Sequence, residues 1–146
     1  MQDPFKGFNN DDDNNNGNGP QGLPLPPNYA TVVNPQTGNL RIAKVGFAWI
    51  AFLFPVIPPI FRGDWYNLLC ILGVNLGVQM ILQMTVGVDQ AQVIMGVQLA
   101  MEILWGSIYN MMYFKHLFNL GFVPADDRSK DLLTKAHYWN PKRAAK

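Results

Sequence analysis

The 146-residue chain carries 11 Lys/Arg and 10 Asp/Glu, a net charge of +1, and 49% hydrophobic residues. Its one cysteine, Cys70, excludes an internal disulfide, and its two histidines complete no cluster with metal-ligand spacing. The near-neutral balance names no partner by itself; no nucleic acid, metal or cofactor is expected.

The charges are distributed unevenly. Only Arg62, Asp64, Asp89 and Glu102 interrupt Val45–Phe114, and they divide it into three apolar runs. A run of about 20 apolar residues crosses the hydrocarbon of a bilayer at ~1.5 Å per residue. Trp65–Val88 and Ala91–Phe114 reach that length; Val45–Phe61 does not.

Met1–Asn28 reads as a disordered leader. Asn9–Asn18 is almost entirely Asn, Asp and Gly, and a proline-rich spacer follows. Such a segment buries too little apolar surface to offset its ordering entropy. Pro24-Leu-Pro-Pro27 matches PxxP, which reads here as a semi-extended linker. Met1–Gly22 has no apolar core segment, so the first apolar runs are expected to direct insertion.

Residues 29–44 place strand formers (Tyr29, Thr31, Val32, Val33; Leu40, Ile42) on either side of Asn34-Pro-Gln-Thr-Gly-Asn39, a strong turn sequence. A short hairpin, or one extended strand, is expected beside the membrane. Val45–Phe61 is aromatic and broken by Pro55, Pro58 and Pro59. Proline removes a backbone donor, and unsatisfied backbone groups are costly in hydrocarbon. The expectation is a helix from about Ala43 to Phe54, a proline-rich turn, and a return to the same surface. A re-entrant or interfacial element is favoured over a full crossing. Arg62-Gly-Asp64-Trp65 ends it at the interface, as Trp49 suits its start.

In Trp65–Val88, Gly73 and Gly77 form a GxxxG pair that lets helices approach closely, and Gly106 of the next run is a further expected helix-packing position. Asn75, Gln79 and Gln83 share one face by their spacing of four, as do Gln98, Glu102, Gly106 and Asn110 in Ala91–Phe114. Folded at Asp89–Gln90, the two helices form an antiparallel hairpin with facing polar stripes. Residues 115–146 read as a basic tail. It holds a short helix over Ala125–His137, started by Asp126 and Asp127 and stopped by Asn140-Pro141; Tyr113 and Lys115 before it are expected at the membrane interface, and Tyr138 and Trp139 suit headgroup depth. His116 and His137 read as solvated or interfacial. The Asp89 loop has no Lys or Arg, whereas Lys44, Arg62 and Lys115 stand at the opposite ends. If the first run does not cross, all 11 basic residues lie on one side, the cytoplasmic one.

Glu102 is the most informative residue. An acid at the centre of a span costs at least ~2.5 kcal/mol, so it is protonated, paired or facing water. One reading makes it a proton or cation site with Gln79, Gln98 and Asn75. The other makes it a neutral acid hydrogen-bonded between helices. No nucleophile–base constellation, phosphate loop or carboxylate pair appears, so no enzyme is expected.

Val45-Gly-Phe-Ala-Trp-Ile-Ala-Phe-Leu-Phe-Pro55, followed by Phe61-Arg-Gly-Asp-Trp65, resembles the aromatic opening of the domain of unknown function 2628 family of small bacterial membrane proteins. Asn110-Met-Met-Tyr113 with Lys115-His116, then Gly121-Phe-Val-Pro124, is similar to the family's closing motif. The resemblance covers roughly Val45–Leu133. This chain lacks the family's glycine before Pro55 and adds Pro58-Pro59. The resemblance implies a small membrane protein with no established activity.

The expected fold class is an all-α membrane protein. It is a two-helix transmembrane hairpin preceded by an aromatic, proline-broken re-entrant or interfacial segment. It would sit in the bacterial inner (plasma) membrane with both termini cytoplasmic. The lipid bilayer and either a larger membrane complex or further copies of the chain are the expected partners. The expected function is a non-catalytic accessory or scaffold subunit. The competing expectation is an oligomeric channel, transport or permeabilising (holin-like) protein with a polar path around Glu102.

Overall fold

A computed structural model describes residues 24–86 and 90–144. The leader expected to be disordered lies outside the described residues up to position 23, and so do positions 87–89 of the connection between the long helices.

Two strands, β1 (Tyr29–Val33) and β2 (Leu40–Lys44), pair antiparallel with Val33 opposite Leu40 and Tyr29 opposite Lys44. Asn34 closes the turn between them. Its N–H donates to the Asn39 carbonyl (2.9 Å), and its Oδ1 accepts from the Gln36 N–H (3.0 Å). The ladder continues to Val45, whose N–H donates to the Asn28 carbonyl (2.7 Å). Helix therefore does not begin at Ala43 as expected. Gly46, at φ 103°, turns the chain through a conformation that L side chains rarely adopt. Helix α1 (Trp49–Leu53) starts only after that turn.

The expected proline-rich turn contains a second short helix, α2 (Ile57–Arg62). Pro58 and Pro59 sit in its first turn, where no intrahelical N–H bond is lost. At ~1.5 Å per residue, the five residues of α1 and six of α2 each extend far less than a bilayer's thickness.

Two long helices follow, α3 (Trp65–Thr85, 21 residues) and α4 (Ala91–Asn119, 29 residues), both long and apolar enough to cross a membrane. Helix α4 runs five residues past the expected end at Phe114. Asp64 caps α3, accepting from the Asn67 N–H (3.3 Å).

The fold is mostly helical but not all-α. The chain leaving α4 forms β3 (Val123–Pro124), which pairs antiparallel with β1, giving the sheet order β2-β1-β3. The sequence signals of β1 and β2 were strong. A two-residue strand containing proline carries none, and it forms because β1 supplies the partner and Pro124 occupies an edge. Helix α5 (Asp127–Lys135) is capped by Asp126 and packs on β1. The Thr31 N–H donates to Ser129 Oγ (2.9 Å), and Leu133 is fully buried. The short α6 (Pro141–Ala144) continues where Asn140-Pro141 was expected only to stop a helix; α5 has already ended at Lys135.

The core gathers at one end of the long helices. It joins Ala30, Val32 and Ala43 from the sheet to Ala51 of α1, Ile71 of α3, Tyr109, Phe114 and Leu117 of α4, and Leu133 of α5. Gly106 lets α1 lie directly on α4. A side chain there would meet Phe47 Cζ at 2.6 Å and Phe52 Cβ at 2.8 Å, and the Ala48 N–H donates to the Gly106 carbonyl (2.7 Å). Beyond Ile71 on α3, and before Trp105 on α4, no described residue is buried.

Candidate functional site

The polar residues expected to form facing stripes on the two helices of the hairpin separate into two groups. The first lies between α3 and α4. Gln79 Nε2 donates to Gln98 Oε1 (3.0 Å), and nearer the core Trp105 Nε1 donates to Asn75 Oδ1 (3.2 Å). The match of Gln79 with Gln98 is the depth relation that a fold at Asp89–Gln90 requires. Glu102 is half-buried and joins neither bond. It borders a shallow open depression with Ile94, Met95, Gly96, Gln98 and Leu99. Gln83 is exposed. A side chain added at Gly73 or Gly77 would meet nothing within 4 Å, so this fold does not use the GxxxG pair for packing within the chain.

The second group lies where α2 meets α3 and the buried half of α4, and it takes Asn110 away from the stripe. Asn110, 2% exposed, donates through Nδ2 to the Gly46 carbonyl (2.9 Å) and accepts from Arg62 Nη1 (3.2 Å). The Arg62 guanidinium lies over two tyrosines, 4.4 Å from the Tyr113 ring centroid and 5.3 Å from that of Tyr109. Cation–π contacts of this kind are worth roughly 0.5–2 kcal/mol. Tyr113, expected at the interface, is enclosed by protein at 5% exposure.

Asp64 was also expected at the interface, yet its side chain is 1% exposed. A buried carboxylate is costly unless hydrogen-bonded. Oδ1 accepts from the Asn67 backbone and Oδ2 from Asn67 Nδ2 (2.6 Å), and the N-terminus of α3 adds a favourable dipole. His116 Nε2 stands 3.9 Å from Asp64 Oδ1, and its ring stacks on Tyr66 at 5.3 Å with an interplanar angle of 4°. His116 is thus half-buried against the start of α3. Asp64, Asn67 and His116 tie the start of α3 to the last turns of α4.

The remaining expected interfacial residues divide. Trp49 and Trp65 are each 64% exposed, and Lys115 is exposed. Trp139 packs edge-on against Phe118, with ring centroids 4.7 Å apart, and the Tyr138 hydroxyl accepts from the Gly46 N–H (3.2 Å). The tail thus folds back on the core.

Asn67, Tyr109, Trp105 and Gly46 are the cluster members that sequence reasoning did not single out. A faint signal existed for Asn67, since an Asx residue followed three positions later by a residue with a polar side chain resembles a helix start. The others act through contacts between distant parts of the chain. Among the described residues, no three His, Cys, Asp or Glu side chains gather as a metal ion would need.

A family model described as protein of unknown function (DUF2628) matches residues 8–118. No curated protein and no solved structure matches the chain.

Proposed function

This chain belongs to the DUF2628 family of proteins of unknown function, and we propose that it is a small integral membrane accessory protein. In this reading α3 and α4 span the bilayer and α1–α2 dip into one face of it. The sheet, α5 and both termini lie on that same, cytoplasmic side. The protein works by binding other membrane helices, either of partner subunits or of further copies, and performs no catalysis.

One observation carries the reading. The long helices leave their apolar side chains outside the fold: Leu76 is 64% exposed, Ile81 62%, Met84 84% and Met95 71%. A water-soluble protein that exposed this contiguous surface would aggregate, whereas lipid accommodates it. The short helices fit the same account, with Ile50, Leu53, Phe54 and Phe61 projecting outward. Gly73 and Gly77, unused within the chain, leave α3 a surface for close approach of a second helix.

The second reading, an oligomeric pore, draws on Glu102 and Gln98, which border the depression on α4. Ion flux from liposomes separates the two. The accessory reading expects the reconstituted chain and its Glu102→Gln variant to be equally silent. It also expects Gly73→Ile with Gly77→Ile to release a co-purifying membrane protein or further copy. Flux that disappears with Glu102→Gln would replace it with the pore reading.

A further inference from the structure

We propose that Arg62 binds the phosphate of an anionic phospholipid, so that the end of α2 is a headgroup site; this rests on the bilayer reading above. Arg62 closes α2 and is half-buried. It is held rather than free: Nη1 donates to Asn110 Oδ1 (3.2 Å), Asn110 is itself anchored to the Gly46 carbonyl (2.9 Å), and the guanidinium plane is supported by Tyr113 and Tyr109. A guanidinium presents five N–H donors in a rigid fork. Among the described residues no carboxylate forms a salt bridge with it. Asp64, two positions on, is turned inward to Asn67 and His116. The result is a cation held in place, with no salt bridge among the described residues and with donors to spare.

Its surroundings specify the ligand. Phe61, next to it in the chain, is 86% exposed, and Trp65, three positions on, is 64% exposed. A cation bordered by projecting apolar side chains matches an amphiphile whose phosphate lies directly above acyl chains. The fork geometry suits a phosphate's paired oxygens. Zwitterionic lipids bring their own cation to offset the phosphate, so an anionic headgroup is preferred.

The test reconstitutes the full chain in nanodiscs of equal phosphatidylglycerol and phosphatidylcholine and counts retained lipids by native mass spectrometry. With one interfacial cation worth about 1 kcal/mol, the expected retention ratio favours phosphatidylglycerol about fivefold. Arg62→Gln brings the ratio close to one, Arg62→Lys keeps part of the preference, and Lys142→Gln, an exposed cation on α6, leaves it unchanged. Circular dichroism in the same nanodiscs reports whether Arg62→Gln folds; if it does not, the native ratio and Arg62→Lys decide. A native ratio of one, equal loss in Lys142→Gln, or displacement of the lipid by millimolar inorganic phosphate would overturn the headgroup site alone. A chain that stays monodisperse in buffer and never enters the nanodiscs would overturn the bilayer reading itself.

Discussion

The two halves of α4 have similar apolar content and opposite surroundings. From Ala91 to Leu104 no residue is buried; from Trp105 to Leu117 seven are, and Trp105, Tyr109 and Tyr113 recur every four positions. Helix α3 mirrors this, burying only Asn67, Leu68 and Ile71 near its start. Apolar content therefore does not say where the core is. At the head, a sheet, three short helices and the tail supply neighbours, and side chains are sorted by shape and hydrogen bonding. Toward the connection the helices have only each other, and no comparable sorting occurs. The head is built like a water-soluble core, and the far half relies on its solvent.

The sharpest way to break this comparison is to truncate one large apolar residue in each half. Phe114 is fully buried, so Phe114→Ala is expected to cost about 3–5 kcal/mol. Leu76, 64% exposed, has few neighbours to lose, and Leu76→Ala should cost under ~1 kcal/mol. Thermal unfolding in one detergent measures both; equal losses would mean the far half is packed after all.

A smaller contrast comes from glycines. An alanine at position 106 drives its Cβ against Phe47 and Phe52, and such overpacking costs about 1–3 kcal/mol. Gly77→Ala meets open space and should stabilise the isolated chain by up to ~1 kcal/mol through helix propensity. Unfolding midpoints of opposite sign would sharpen the division between the halves. A destabilising Gly77→Ala would show that α3 packs more closely than this structure has it.

The smallest effect is expected at the polar pair in the far half. Removing the bond from Gln79 to Gln98 with Gln79→Leu should cost about 0.6 kcal/mol, the average for such bonds between membrane helices. A double-mutant cycle with Gln98→Leu isolates it. A coupling of several kcal/mol would make this pair, rather than the Arg62 cluster, the organising polar contact.

Much of this architecture is legible in the residues. The lengths of the apolar runs locate both long helices, Asn34–Asn39 dictates the turn between β1 and β2, and Asp126 starts α5. The antiparallel return of α4 even brings Gln79 to Gln98. The candidate site was less legible. The spacing of four assigned Asn110 to the same stripe as Gln98 and Glu102, but periodicity describes a helix face and not which neighbour covers each part of it. Arg62 and Asp64 looked like ordinary boundary charges because nothing local announces that Asn110 and Asn67 will meet them.

What the sequence determined by itself is thus what depends on short-range physics: where helices begin, which segments favour strands, and how long the apolar runs are. The tertiary structure alone decided that Val123–Pro124 becomes a strand, that Tyr113 and Asp64 are enclosed, and that Gly106, not Gly73 or Gly77, is the close contact. Each of those outcomes requires a partner from a distant part of the chain. Local propensity cannot encode a partner's position, and only the assembled fold provides it.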